Sequence, residues 1–146
     1  MIDGKLGVAI HGAGQVAAAH AASWLKNPHV KIVSIGQPRR ERAEQLRARL
    51  TIDCAIHERF EDLLDDTRID IVNLSGPNQV HAPQGVAAAK AGKHILIEKP
   101  MCLSMEENRA LRDAVAAAGV RSVVSFVLRW NPLFENLRSL LAAGAI

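Results

Sequence analysis

The chain has 146 residues, 49% hydrophobic and 23% charged, enough apolar material for one cored domain and far from the compositions of disordered or collagen-like chains. Its formal charge of +3 comes from 18 basic and 15 acidic side chains spread without a basic block, and aromatics make up only 3%, so no nucleic-acid partner is expected. No apolar run approaches the roughly twenty residues of a membrane helix, residues 1–5 are too short and acidic for a signal peptide, and Cys54 and Cys102 stand alone without metal-ligand or disulfide spacing, so a reduced, cytoplasmic protein with no metal site and no membrane partner is expected.

Leu6-Gly7-Val8-Ala9-Ile10 is an apolar run broken by Gly12 and Gly14, which predicts a strand buried on both faces followed by a tight turn. An alanine-rich helix follows over 16–26, stopped by Asn27-Pro28, and a β-branched strand over 30–35. Residues 39–50 carry Ala43, Leu46 and Leu50 at helical spacing, and they predict an amphipathic surface helix. A short strand over 52–56 and a short helix over 58–64 come next, then a strand over 69–74 ending at Ser75-Gly76-Pro77-Asn78. The alternation continues with a helix over 79–91 closed by Gly92, a strand over 94–97, a helix over 104–118 with Ser104 and Glu107 in capping-box spacing, and a strand over 121–128. Residues 131–142 form one more helix, in which Leu133, Phe134, Leu137, Leu140 and Leu141 are too apolar for a free surface, so something is expected to cover it. Strands and helices alternating at this length require parallel pairing through right-handed crossovers. The expected architecture is a Rossmann-type, doubly wound α/β fold, a mostly parallel sheet with helices on both faces.

Three groups of residues carry chemistry. Gly12-Ala13-Gly14-Gln15-Val16-Ala17 is the G-x-G-x-x-A form of the dinucleotide fingerprint, placed between the first strand and the first helix, where its context supports it. Gly12 permits the turn, Gly14 admits a pyrophosphate close to the backbone, and Ala17 keeps the helix near the sheet while its N-terminal amides face the anion. At the end of the second strand, where such folds place an acid for the ribose 2′-hydroxyl, this chain has Gln37, with Arg39, Arg40 and Arg42 close behind. Those arginines either accommodate a 2′-phosphate or form only the solvated face of a helix. Glu98-Lys99-Pro100 closes a strand at the edge where ligands collect in open sheets, although on spacing alone Lys99 reads as a surface charge paired with Glu98.

From Leu6 onward the sequence resembles the N-terminal domain of the glucose-fructose oxidoreductase, inositol dehydrogenase and rhizopine-catabolism family, Gfo/Idh/MocA. The matching residues are Gly12, Gly14, Ala17 and His20, then Pro77-Asn78 with His81, Ala91-Gly92-Lys93-His94 leading into Glu98-Lys99-Pro100, and Arg129-Trp130-Asn131-Pro132. The resemblance implies an NAD(P)-dependent dehydrogenase acting on a sugar, polyol or related compound, with Lys99 beside the nicotinamide and the substrate oxygen as the catalytic residue. It implies a cofactor crevice, for NADP or NAD, formed by Gly12, Ala13, Gly14, Gln15, Val16, Gln37, Arg39, Ser75, Pro77, Asn78, His81, Glu98 and Lys99. Gln37 stands where members often carry an acid. Residues 1–128 are expected to be the dinucleotide-binding domain and 129–146 the start of the connection to a substrate domain outside this chain. That second domain would carry a histidine acid or base, and no histidine follows His94 here. The chain alone is therefore expected to be inactive and to associate with itself as a homo-oligomer. The alternatives are a dinucleotide-binding module without turnover, serving as sensor or partner subunit, and a nucleotide-sugar or adenylate binder using the same glycine turn.

Overall fold

The computed structural model describes residues 2–146. Six parallel strands form one sheet: β1 (Leu6–His11), β2 (Val30–Gly36), β3 (Ala55–His57), β4 (Ile71–Leu74), β5 (His94–Glu98) and β6 (Ser122–Ser125). Their order is β3-β2-β1-β4-β5-β6. The helices between them are α1 (Gln15–Trp24), α2 (Arg40–Arg49), α3 (Phe60–Asp65), α4 (Asn78–Lys90) and α5 (Met105–Ala118). A 3-10 turn over Val127–Trp130 and a last helix, α6 (Pro132–Ala142), follow β6. This is the Rossmann-type doubly wound fold. The chain winds outward from β1 in one direction through β2 and β3, then returns to β4 on the other side of β1. Strand order therefore reverses beside β1, and the connections leaving the carboxyl ends of β1 and β4 run to opposite faces of the sheet, leaving a crevice above the paired strands.

Side-chain alternation along the strands builds a core on each face. Val8, Ile10 and Ile32 pack with Ala17, Ala18 and Ala21 of α1 and with Ala43 and Leu46 of α2, while Ala9, Val72, Ile95 and Ile97 pack with Leu63, Ala88, Ala89 and Leu111 from α3, α4 and α5. The β1–β2 register slips by one residue between Val8 and Ala9, so Val8 faces Ile32 but Ala9 faces Ser34. The extra residue, Val33, joins the α3-to-α5 core, and Ile35 returns to the α1 side.

Several expected boundaries move. The strand expected over 121–128 stops at Ser125 because its only partner, β5, ends at Glu98, which pairs with Ser125. Beyond that point no ladder acceptor exists, and Phe126 N–H bonds back to the Val124 carbonyl as the chain coils into the 3-10 turn. The strand expected over 52–56 is β3, three residues on. Ile52 belongs instead to the turn leaving α2, its N–H bonded to the Arg47 carbonyl and its side chain buried in the core. At α5, Ser104 Oγ accepts from Glu107 N–H at 3.1 Å, and the Glu107 carboxylate accepts from Leu103 N–H at 2.7 Å, one residue before the cap. No helix among the described residues is long and apolar enough to cross a membrane.

Candidate cofactor crevice

The turn after β1 is pinned on both sides. Gly12 N–H donates to the Gly36 carbonyl at 2.8 Å, and Ser75 N–H donates to the His11 carbonyl at 2.8 Å, tying the glycine turn to the ends of β2 and β4. The two glycines of the fingerprint do different work. Gly12 has φ +113°, and a Cβ there would lie 2.6 Å from the Ser75 carbonyl oxygen, so the backbone itself needs glycine. Gly14 has φ −83° and no heavy atom within 4 Å of where a Cβ would stand. The fold does not need it, and the space beside it is open. Gly14 is the N-cap of α1, no side chain caps that terminus and no acidic residue sits in its first turn. The first amides of α1 thus point, unneutralised, into that space, and a pyrophosphate fits there by charge and by room.

A cleft of about 490 Å³ opens over this turn, between the ends of β1, β2 and β4. Of the residues expected from sequence, Gly12, Ala13, Gly14, Gln37, Arg39, Ser75 and Pro77 line it. Gln15 and Val16 lie just beyond on the exposed first turn of α1, and Asn78 opens α4 on the exposed rim. His81 does not line the cleft. It is 1% exposed, with Nδ1 2.7 Å from the Pro100 carbonyl and Nε2 3.0 Å from the Gly76 carbonyl, so it braces the loops after β4 and β5 from behind. Glu98 and Lys99 sit at the end of β5, two strands from β1, which separates them from the glycine turn by the width of β4.

The arginines divide. Arg40 is held by Glu44 at 3.0 Å and Glu58 at 3.4 Å, whereas Arg39 and Arg42 line the cleft beside Gln37. Gln37 Oε1 accepts from Arg39 N–H at 3.3 Å and so shapes the start of α2. Glu98 is not paired with the Lys99 ammonium, as spacing alone suggested. Its Oε1 is 3.2 Å from His20 Nε2, and its Oε2 accepts from the Lys99 backbone N–H at 3.2 Å, leaving the exposed Lys99 side chain free of that ion pair.

Sequence reasoning missed part of this lining. His11, Pro38, Gly76, Val80 and Gln84 also face the cleft. Val80 and Gln84 stand four apart on α4, a one-face spacing visible in sequence. His11 is a polar residue ending an otherwise apolar strand, and it is 6% exposed, with its ring edge-on to Phe60 at 4.8 Å. Burial pushes its imidazole down to about 4, with the Glu61 carboxylate opposing only in part. Lys93, part of the matched motif, is structural: its Nζ donates to the carbonyls of Asp66 and Ile69 at 3.1 and 2.9 Å, closing the loop before β4.

Comparison with known proteins agrees with this geometry. The GFO_IDH_MocA model, described as an oxidoreductase family with an NAD-binding Rossmann fold, matches residues 6–126. Scyllo-inositol 2-dehydrogenase (NAD(+)) of Bacillus subtilis is 34% identical over 139 residues, 94% of this chain and 40% of that protein. D-xylose 1-dehydrogenase (NADP(+)) 2 of Haloferax volcanii is 34% identical over 148 residues, all of this chain and 44% of its own length. Among solved structures, an oxidoreductase domain protein from Kribbella flavida superposes with a TM-score of 0.86 at 29% identity, over 96% of this chain and 40% of that one. The chain spans less than half the length of these relatives.

Proposed function

This chain belongs to the Gfo/Idh/MocA oxidoreductase family, whose NAD-binding Rossmann fold it carries, and from that premise we propose that it holds the cofactor for a dehydrogenase acting on a sugar, polyol or related hydroxyl compound. One observation carries the reading: at the reversal point of the sheet, α1 presents an uncapped N-terminus beneath the open space at Gly14. The pyrophosphate lies over residues 12–16. Gln37 and Arg39 meet the adenosine ribose, with Arg42 behind them, so a 2′-phosphate finds cations and no carboxylate; NADP is held at least as well as NAD. Ser75, Pro77 and Asn78 form the wall facing Gln37, and His81 and Glu98 support the loops that carry Pro100 and Lys99.

When bound, a nicotinamide cofactor gives or accepts the hydride. Lys99 then works on the oxygen: its ammonium, exposed at the end of β5, reaches the substrate hydroxyl or carbonyl and stabilises the charge that develops there. The substrate class is supported by the relatives that act on scyllo-inositol and D-xylose. Residues 1–128 form the dinucleotide-binding unit, and 129–146 lead toward a substrate domain. The chain acts in the cytoplasm, a reading supported by its two free thiols. By itself it binds cofactor without turning substrate over, since the expected histidine to take the hydroxyl proton has no counterpart after His94.

Calorimetric titration with NAD and NADP tests the reading. The chain should bind both, and Gly14→Val should fold normally yet lose at least about tenfold in affinity, because the new side chain fills the space the anion needs. Unchanged binding in that variant would place the pyrophosphate elsewhere. Rapid turnover of polyols by the isolated chain, abolished in Lys99→Ala, would show instead that the site is complete within these residues.

A further inference from the structure

Buried polar residues in parallel strands need partners, and at the carboxyl ends of β4 and β5 Asn73 and Glu98 find theirs in one network. Asn73 on β4 is fully buried, and Glu98 on β5 is 7% exposed. The orientation of the Asn73 amide follows from its neighbours. The Trp24 indole N–H can only donate, and it reaches Asn73 Oδ1 at 3.0 Å, while Asn73 Nδ2 donates to Ser75 Oγ at 2.6 Å. His20 Nδ1, 2.9 Å from that same Oδ1, therefore carries a hydrogen. The other ring nitrogen, Nε2, lies 3.2 Å from Glu98 Oε1 and 3.3 Å from Ser125 Oγ. Ser125 Oγ can donate to that nitrogen or accept from it, and the ring bridges Asn73 and Glu98 through its two nitrogens.

We propose that His20 is a positioning residue for Lys99. Held between Asn73 and Glu98, it fixes a carboxylate whose second oxygen accepts the Lys99 backbone N–H at 3.2 Å. His81 holds the other side of the same segment through the Pro100 carbonyl. Lys99 is thus set by a histidine before it and a histidine after it, although neither ring touches its side chain. His20 meets Asn73 on β4, Glu98 on β5 and Ser125 on β6, while the Trp24 indole from its own helix shares the Asn73 oxygen. For its catalytic consequence the inference rests on Lys99 acting at the substrate oxygen, but the His20–Glu98 contact itself does not.

Nitrogen NMR of the chain with 15N-labelled histidine, together with amide exchange at Lys99, separates these. His20 Nδ1 should report bound hydrogen, in a signal that vanishes in His20→Leu. That variant should exchange the Lys99 amide about tenfold faster, with the amides of 14–16 unchanged. His20→Gln, which keeps a donor within reach of Glu98, should recover most of the protection. In a Glu98→Gln background, His20→Leu should add no further effect. A lone-pair signal from His20 Nδ1, or Lys99 protection that ignores His20→Leu while the Trp24 indole signal moves, would overturn the proposal and leave His20 a packing residue. Should His20→Leu fail to fold, the Gln variants carry the same test. Lys99→Ala retaining full turnover in a complete family enzyme would defeat the catalytic reading of Lys99 without altering any of these signals.

Discussion

His11 is where a single residue governs the response of the fold to acid. Its Nδ1 is buried without a partner among the described residues, and Gly36 is glycine because a Cβ there would lie 2.6 Å from that nitrogen. In the unfolded chain the imidazole takes a proton near 6.5, and in the fold only near 4. Between those values the unfolded state binds more protons, so stability is intact above the upper value and falls as pH drops toward the lower, by on the order of 3 kcal/mol in all. Asp66 is held below the usual carboxylate range by hydrogen bonds from Arg68, so its contribution starts to fall only near the acid edge of that window and is lost mainly below 3.8. Denaturant midpoints measured from pH 7 to pH 4 should slope steeply for the parent and become nearly flat in His11→Gln. An unchanged slope would show that the ring is not buried neutral. At the cleft edge, Arg39 and Arg42 make a separable claim: NADP binding should weaken with salt more steeply than NAD binding, and Arg39→Gln with Arg42→Gln should erase the difference.

Among the helices, α4 and α5 share the most extensive contact. Gly85 lets them approach, since a Cβ there would lie 2.8 Å from Leu111 Cδ1 and 3.6 Å from Ile97 Cδ1. Leu111 and Ile97 are both almost fully buried, so they have little room to yield. Gly85→Val should cost about 1–3 kcal/mol by overpacking, read as a lower urea midpoint at constant slope. Pairing Gly85→Val with Leu111→Ala should recover part of the loss; if it does not, the cost lies in the helix backbone and not in this contact. The same contact positions the site, because α4 carries His81, Val80 and Gln84 beneath and beside the crevice.

At the scale of the whole molecule, the chain divides into a cored sheet and an uncovered end. Phe126, Trp130, Phe134 and Leu137 are 57%, 72%, 43% and 41% exposed, and no residue of α6 is buried. The uncovered side chains run from the end of β6 along α6, next to the edge strand. A contiguous apolar surface of this kind drives association. Light scattering of the isolated chain should give a concentration-dependent mass above 15.8 kDa, and Phe134→Glu with Leu137→Glu should return it toward that monomer value. A monodisperse parent at high concentration would refute the expectation of self-association.

The alternation of apolar strands with helices, the glycine turn between the first of each, and the capping signals at Ser104 are local properties, so the sequence by itself determined the parallel sheet, its winding and the place of the fingerprint. It also pointed to Lys99 through the Glu-Lys-Pro resemblance. Strand ends were less legible, because β6 stops where β5 stops pairing, and pairing is not a local property. The division of labour between Gly12 and Gly14 needed coordinates: one faces the Ser75 carbonyl and the other faces open space, a difference set by β4, more than sixty residues along the chain. Only the tertiary structure decided which polar residues meet. His20, Asn73, Glu98 and Ser125 come from four elements, and although the resemblance marked His20 and Glu98, nothing local showed that the two meet or that Asn73 and Ser125 join them. The buried ends of parallel strands draw them together because a polar group removed from water must find its partner inside the fold.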